Sequence, residues 1–185
     1  SKYAIEAEKC DCYVVDNTSF FRQQPDIPLI VPEVNSSDLD KTKRRIISNP
    51  NCSTIQMLVA LDPIHKINSI KKIVVSTYQS VSGAGQQAMN ELTIQSECFL
   101  NKSKIVSNIF PKQIAFNVIP QIDTFTENGF TKEEMKMVNE TKKILDSNIE
   151  VNATCVRVPS YIGHAESVYI ELENNPFFSK FFLLP

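Results

Sequence analysis

The residues of this chain best suited to chemistry are one cysteine, one histidine and a few cations. Cys52 stands in Ser48-Asn49-Pro50-Asn51-Cys52-Ser53-Thr54, where turn formers give way to an apolar pattern at Ile55, Leu58 and Val59 on helical spacing. The cysteine therefore sits at a predicted helix start. Free N–H groups and the helix dipole favour negative charge there, which lowers a thiol's pKa, and the same N–H groups could hold an oxyanion formed by thiolate attack on a carbonyl. The bland reading is a small residue buried at a helix start.

Nucleophilic catalysis by a thiol also needs a proton carrier. The chain offers His65 and His164. His65 lies in Leu61-Asp62-Pro63-Ile64-His65-Lys66, read as a polar turn between helix and strand. His164 follows Gly163, and Arg157 precedes it by seven residues in Cys-Val-Arg-Val-Pro-Ser-Tyr-Ile-Gly-His. A strand, a bend and a second strand would bring both to one cleft; the alternative is a solvated strand charge and an ordinary turn histidine. Ser80-Val-Ser-Gly-Ala-Gly85 leads into a helical pattern, a layout that can hold phosphate but one that many turns share. With four glycines in all, the chain holds no complete dinucleotide fingerprint and no P-loop.

The elements that must position these groups follow from periodicity and breakers. Residues 3–10 read as the end of a helix, and 12–16 as a short buried strand. Residues 17–28 form a loop, 29–35 a short apolar run and 36–44 a polar connector with a helical turn. A helix from Ser53 ends at Pro63. Residues 67–79 predict a strand, 86–100 a helix and 112–122 an extended segment. The clearest helix spans 130–146. Thr131 and Glu134 suit a capping box, Met135, Val138 and Leu145 supply an apolar face, and the Glu and Lys positions are assigned to solvent. Two strands flank Tyr161-Ile162-Gly163. The final Asn174–Pro185 stretch reads as a strand packed on the core or an abnormal tail.

Composition narrows the class. Hydrophobic residues make up 42%, enough for a core, and the net charge of −2 argues against a nucleic-acid binder. No apolar run reaches the roughly 20 residues a bilayer needs, and no signal-peptide layout opens the chain. Five scattered cysteines suit reduced thiols in a cytoplasmic protein better than a disulfide scaffold, and no spacing suggests a metal site.

Several blocks, in order, resemble one family. They are VVDNTSFFRQQPDIPLIVPEVN, SNPNCSTIQM, STYQSVSGAG, FTKEEMKMVNETKKIL and CVRVPSYIGHAESVYIEL, covering most of residues 3–173. The chain resembles aspartate-semialdehyde dehydrogenase of the bacterial type. The related N-acetyl-glutamyl-phosphate reductases carry a different sequence around the thiol. The resemblance implies an α+β fold with a mixed β-sheet covered by helices. Residues 47–185 would be the catalytic and dimerisation domain, preceded by a remnant of a Rossmann-like NADP-binding domain in 1–46. It implies NADP-dependent reductive dephosphorylation of aspartyl 4-phosphate to aspartate 4-semialdehyde through a cysteine thioester, in lysine, threonine and methionine biosynthesis. By resemblance, Cys52 is the nucleophile, His164 the general acid/base, and Gln79 the group that orients the acyl intermediate. Arg157 holds the substrate carboxylate, Glu133 meets its amino group, Arg22 and Lys136 bind phosphate, and Asn51 lies on the phosphate side. Ser82, Gly83 and Ala84 line the cofactor region. A homodimer is implied.

The same comparison places the family's glycine fingerprint and its final helix outside this sequence, so the chain reads as cut at both ends. Two other readings compete: a non-catalytic remnant that keeps the dimerisation fold, and a Cys-His hydrolase.

Overall fold

The computed structural model describes residues 2–174 and 180–183. Helix α1 (Lys2–Lys9) leads into β1 (Val14–Asp16). The loop that follows reaches α2 (Pro32–Asn35), a 3-10 segment at Ser36–Lys41, and β2 (Ile46–Ser48). Strand β1 pairs in parallel with β2, Val15 opposite Ile47. It is less buried than its apolar run predicts: Val15 and Tyr13 are exposed, and inward packing here rests on Ala4, Phe21, Ile27 and Ile46 with Val14 against them.

Helix α3 (Cys52–Ile67) begins on the cysteine itself. Pro63 does not end it. The helix runs on to Ile67, its last backbone bond being Asn68 N–H to the Ile64 carbonyl. His65 is thus a helical residue, and its Nδ1 accepts the N–H of Ile70. This bond secures the entry to β3 (Ile70–Gln79), whose inward residues Ile73 and Val75 are buried.

A 3-10 turn at Val81–Ala84 leads into α4 (Gln86–Leu100). Val81, Ala88, Leu92, Ile114, Ala115 and Ile119 form one apolar cluster. Residues 112–122 are not a strand, despite their alternation. The segment is folded over by turns, among the described residues meets extended structure at the antiparallel bridge Ile119–Arg157, and is held by Gln95, whose side-chain oxygen accepts the N–H groups of Ile114 and Ala115. Helix α5 (Lys132–Ile144), β4 (Glu150–Arg157), β5 (Ala165–Leu172) and β6 (Lys180–Leu183) complete the order; the four-stranded sheet runs β4-β3-β5-β6. Of the expected terminal strand, Lys180–Leu183 is present as β6, and the rest of that expectation lies outside the described residues. The α+β class and mixed sheet expected from the sequence are present.

The capping box of α5 forms as expected: Thr131 N–H donates to Glu134 Oε2 at 2.6 Å, and Glu134 N–H to Thr131 Oγ1 at 3.3 Å. The buried stripe is not the expected apolar one. Met137 and Ile144 are joined on it by Glu133, Glu134, Glu140 and Thr141, all under a tenth exposed. Glu134 is structural: its second oxygen accepts the N–H of Cys155 in β4.

Two compact units divide the chain. One holds Ser1–Val74, Lys136–Asn152 and Tyr169–Lys180; the other holds Val75–Met135, Ala153–Val168 and Phe181–Pro185.

Candidate active site

In the first unit, the sequence Pro50-Asn51 creates the thiol's position. Asn51 takes an extended conformation as the N-cap of α3, and its Oδ1 accepts the N–H groups of Ser53 at 3.0 Å and Thr54 at 3.4 Å. Cys52 is the first residue of a 16-residue helix and is exposed, so burial does not penalise its ionised form. The two N–H groups behind it are already engaged by Asn51. They are therefore not the oxyanion donors that the sequence suggested; the dipole of the helix remains.

The backbone of Asn51 is held from outside the helix. Its N–H donates to Glu140 Oε2 at 2.7 Å, and Arg22 Nη1 donates to Glu140 Oε1 at 3.0 Å. Arg22 Nη2 donates to the Asn17 carbonyl, while its Nε meets no hydrogen-bond partner among the described residues, although the residue is only 8% exposed. Burial holds the Glu140 carboxyl above its ordinary range, opposed by the Asn51 N–H and the Arg22 charge. Lys136 is half-buried on α5, one turn after Glu133. Lys143 caps the neighbouring loop, donating to the carbonyls of Arg22, Gln24 and Ile27.

In the second unit, β3 ends on Gln79, which is 1% exposed. Its Nε2 donates to Thr77 Oγ1 at 3.2 Å and to Glu133 Oε1 at 3.4 Å. Arg157, at the end of β4, is buried and donates from Nη1 to the Ser80 carbonyl at 2.7 Å; it is not a solvated strand charge. His164 is half-buried. Its Nδ1 accepts the Ser80 N–H at 3.1 Å and lies 3.2 Å from the Ser80 hydroxyl. An Nδ1 that accepts a backbone N–H places the proton of the neutral ring on Nε2. Burial, aided by the Arg157 charge, lowers the His164 pKa below its ordinary value, against the pull of Gly163 and Glu133.

Gly83 is where these groups converge. A Cβ added there would lie 3.1 Å from Arg157 Nη1 and 3.3 Å from His164 Nε2. Glycine lets the turn pass this close to both. Ser82 bonds the Ser80 hydroxyl at 2.9 Å, and Gly83 and Ala84 are exposed beside it. By contrast, the thiol of Cys155 is fully buried, and burial pushes its pKa up to about 12. The sequence pattern missed Glu140 and Ser80. Glu140 was hidden among solvent-type charges of α5, and Ser80 acts mainly through its backbone.

These two sets of groups can ionise a thiol, carry a proton and clamp anions, which is the equipment of an acyl-transfer enzyme. Two family models match: the semialdehyde dehydrogenase dimerisation domain over residues 61–178 and the semialdehyde dehydrogenase NAD binding domain over residues 1–42. The chain belongs to the semialdehyde dehydrogenase family. Among curated relatives, aspartate-semialdehyde dehydrogenase of Bacillus subtilis is 54% identical over 180 residues, which cover 93% of this chain and 52% of the relative. A solved structure of aspartate-semialdehyde dehydrogenase II from Vibrio cholerae, complexed with ASA, superposes with a TM-score of 0.92 at 54% identity, over 95% of this chain and 53% of that one. Aspartate-semialdehyde dehydrogenase from Candida albicans, solved with NADP, gives 0.66 at 26% identity, over 92% and 46%. The chain spans about half the length of the curated relatives it matches. No helix among the described residues is long and apolar enough to cross a membrane.

Proposed function

We propose that this chain carries the acyl-transfer chemistry of a cytoplasmic, NADP-dependent aspartate-semialdehyde dehydrogenase in lysine, threonine and methionine biosynthesis. Residues 47–185 act as the catalytic and dimerisation domain of a homodimer, and 1–46 belong to the NADP-binding domain. The exposed thiol at the first position of α3, directly after the Asn51 cap, carries this reading.

The Cys52 thiolate attacks the acyl carbon of aspartyl 4-phosphate. A carbon–sulfur bond forms, the carbon–oxygen bond to phosphate breaks, and inorganic phosphate leaves with the electron pair. Arg22 and Lys136 hold the phosphate, on the side where Asn51 lies. Arg157 grips the α-carboxylate, Glu133 takes the amino group, and Gln79 orients the thioester. His164 carries a proton at Nε2 and handles it as the thiohemiacetal forms and collapses to aldehyde and free thiolate.

A nicotinamide dinucleotide supplies the hydride when it is bound. Ser82, Gly83 and Ala84 are this chain's candidates for its reactive end. Residues 1–42 contain no glycine, so that segment offers no close-approach cradle for a pyrophosphate. We expect residues 1–185 alone to bind NADPH weakly or not at all. The same observation favours a second reading, a chain that keeps the fold and loses turnover.

Competitive alkylation with iodoacetamide at pH 7, mapped by peptide, tests the thiol. Cys52 is expected to react far faster than Cys98 or Cys155; equal rates end the catalytic reading. Phosphate-dependent reduction of NADP with aspartate semialdehyde then separates an active chain from a silent one.

A further inference from the structure

The buried carboxylate of Glu140 has no part in the chemistry above, yet it is 1% exposed and sits among groups that do. A carboxylate has two oxygens, and here each has its own task. One accepts the backbone N–H of Asn51, immediately before the nucleophile; the other accepts Arg22 Nη1. These contacts join residues 89 and 118 positions away in sequence. Among the described residues, Arg22 keeps a buried Nε–H that meets no acceptor, a donor suited to an anion.

We propose that Glu140 is a positioning residue, one carboxylate that locks the turn bearing Cys52 to the anion-binding Arg22. The physical requirement is two acceptors at fixed separation. An amide in its place offers one acceptor and one donor, so it satisfies either Asn51 N–H or Arg22 Nη1 and sets a donor against the other. Aspartate is a methylene shorter and reaches only one partner. Ordinary cap chemistry does not need this residue, since Asn51 Oδ1 already caps α3. What Glu140 adds is registration between thiol and anion site, so that phosphate bound at Arg22 is felt at Cys52.

The inference rests on the reading of Cys52 as nucleophile and Arg22 as phosphate ligand. The test is the rate of Cys52 alkylation in the full chain, across pH and inorganic phosphate concentration, in wild type, E140Q and R22M, with circular dichroism as the fold check. In wild type, phosphate slows the alkylation. In E140Q, the half-protecting phosphate concentration rises about tenfold, the worth of one charge-assisted hydrogen bond, and the pH profile of alkylation shifts. In R22M, protection is lost, and adding E140Q changes it no further, because the two act as one unit. If E140Q is too unstable to purify, E140D is read in the same way.

Wild-type protection and pH profile in a folded E140Q, or additive effects with R22M, overturn the role of Glu140 and leave the nucleophile standing. Absence of any phosphate effect on wild type removes both the Arg22 ligand and the inference. A wild-type Cys52 no faster than Cys98 removes the catalytic reading with it.

Discussion

The turn at Asn51–Cys52 and the Ser80–Gly83 turn each fix a side chain proposed to react, and they do so by different means. At the first, a buried charge pair does the holding, Glu140 with Arg22, and it reaches far across the sequence. At the second, backbone does most of it. Ser80 offers its N–H to His164 and its carbonyl to Arg157, and Gly83 gives up a side chain so that both can approach. A site held by paired charge fails badly when one partner goes, because the other is left buried and alone. A site held by backbone fails gently, because side chains can shift around it.

Breaking the first turn should have the largest effect. E140A leaves the Arg22 guanidinium buried without its carboxylate and is expected to cost about 3–5 kcal/mol, read as a fall in the urea midpoint with unchanged slope. N51A removes the cap of α3 and is expected to cost about 1 kcal/mol and to slow Cys52 alkylation at pH 7. On the second turn, G83A presses on the far ends of Arg157 and His164, which can give way. Its stability change is expected within about 1 kcal/mol, while the His164 titration followed by proton NMR moves measurably. A stability loss in G83A as large as that in E140A would erase the contrast between the turns.

Titration sharpens the comparison. The folded pKa of His164 is lowered, so the unfolded chain binds its proton first; stability should fall as pH drops below the ordinary 6.5 of histidine. The shifts of Glu140 and Cys155 are upward. Glu140 therefore contributes stability at low pH that is lost as pH rises through its folded pKa. Cys155 stays a thiol to about 12, so stability should decline from about pH 9 upward as the unfolded thiol ionises. Denaturant melts across pH, repeated on H164N, E140Q and C155A, check the three assignments: each variant is expected to lose the pH dependence of the group it removes.

The thiol's place at a helix start was legible because its signals are local: turn formers before it, apolar spacing after it. The capping box Thr131–Glu134 was legible for the same reason. Pro63 misled, since a proline late in a helix forfeits only one backbone bond, and packing of Leu58 and Leu61 carries the helix through to Ile67. Residues 112–122 misled in the other direction. Alternation alone proposes a strand, but the segment meets β4 at the single bridge Ile119–Arg157, and Gln95 takes the N–H groups of Ile114 and Ala115 instead of a partner strand.

The stripe of α5 shows where the boundary between sequence and structure lies. Periodicity and caps, which depend on residues within a turn of one another, set the helix and its ends from sequence alone. Which of its faces is buried, and that Glu133, Glu134 and Glu140 go inward with it, was decided by tertiary structure. A carboxylate leaves water only where donors are already in place, and for Glu140 those donors are Arg22 and the N–H of Asn51, which only the folded chain brings to it.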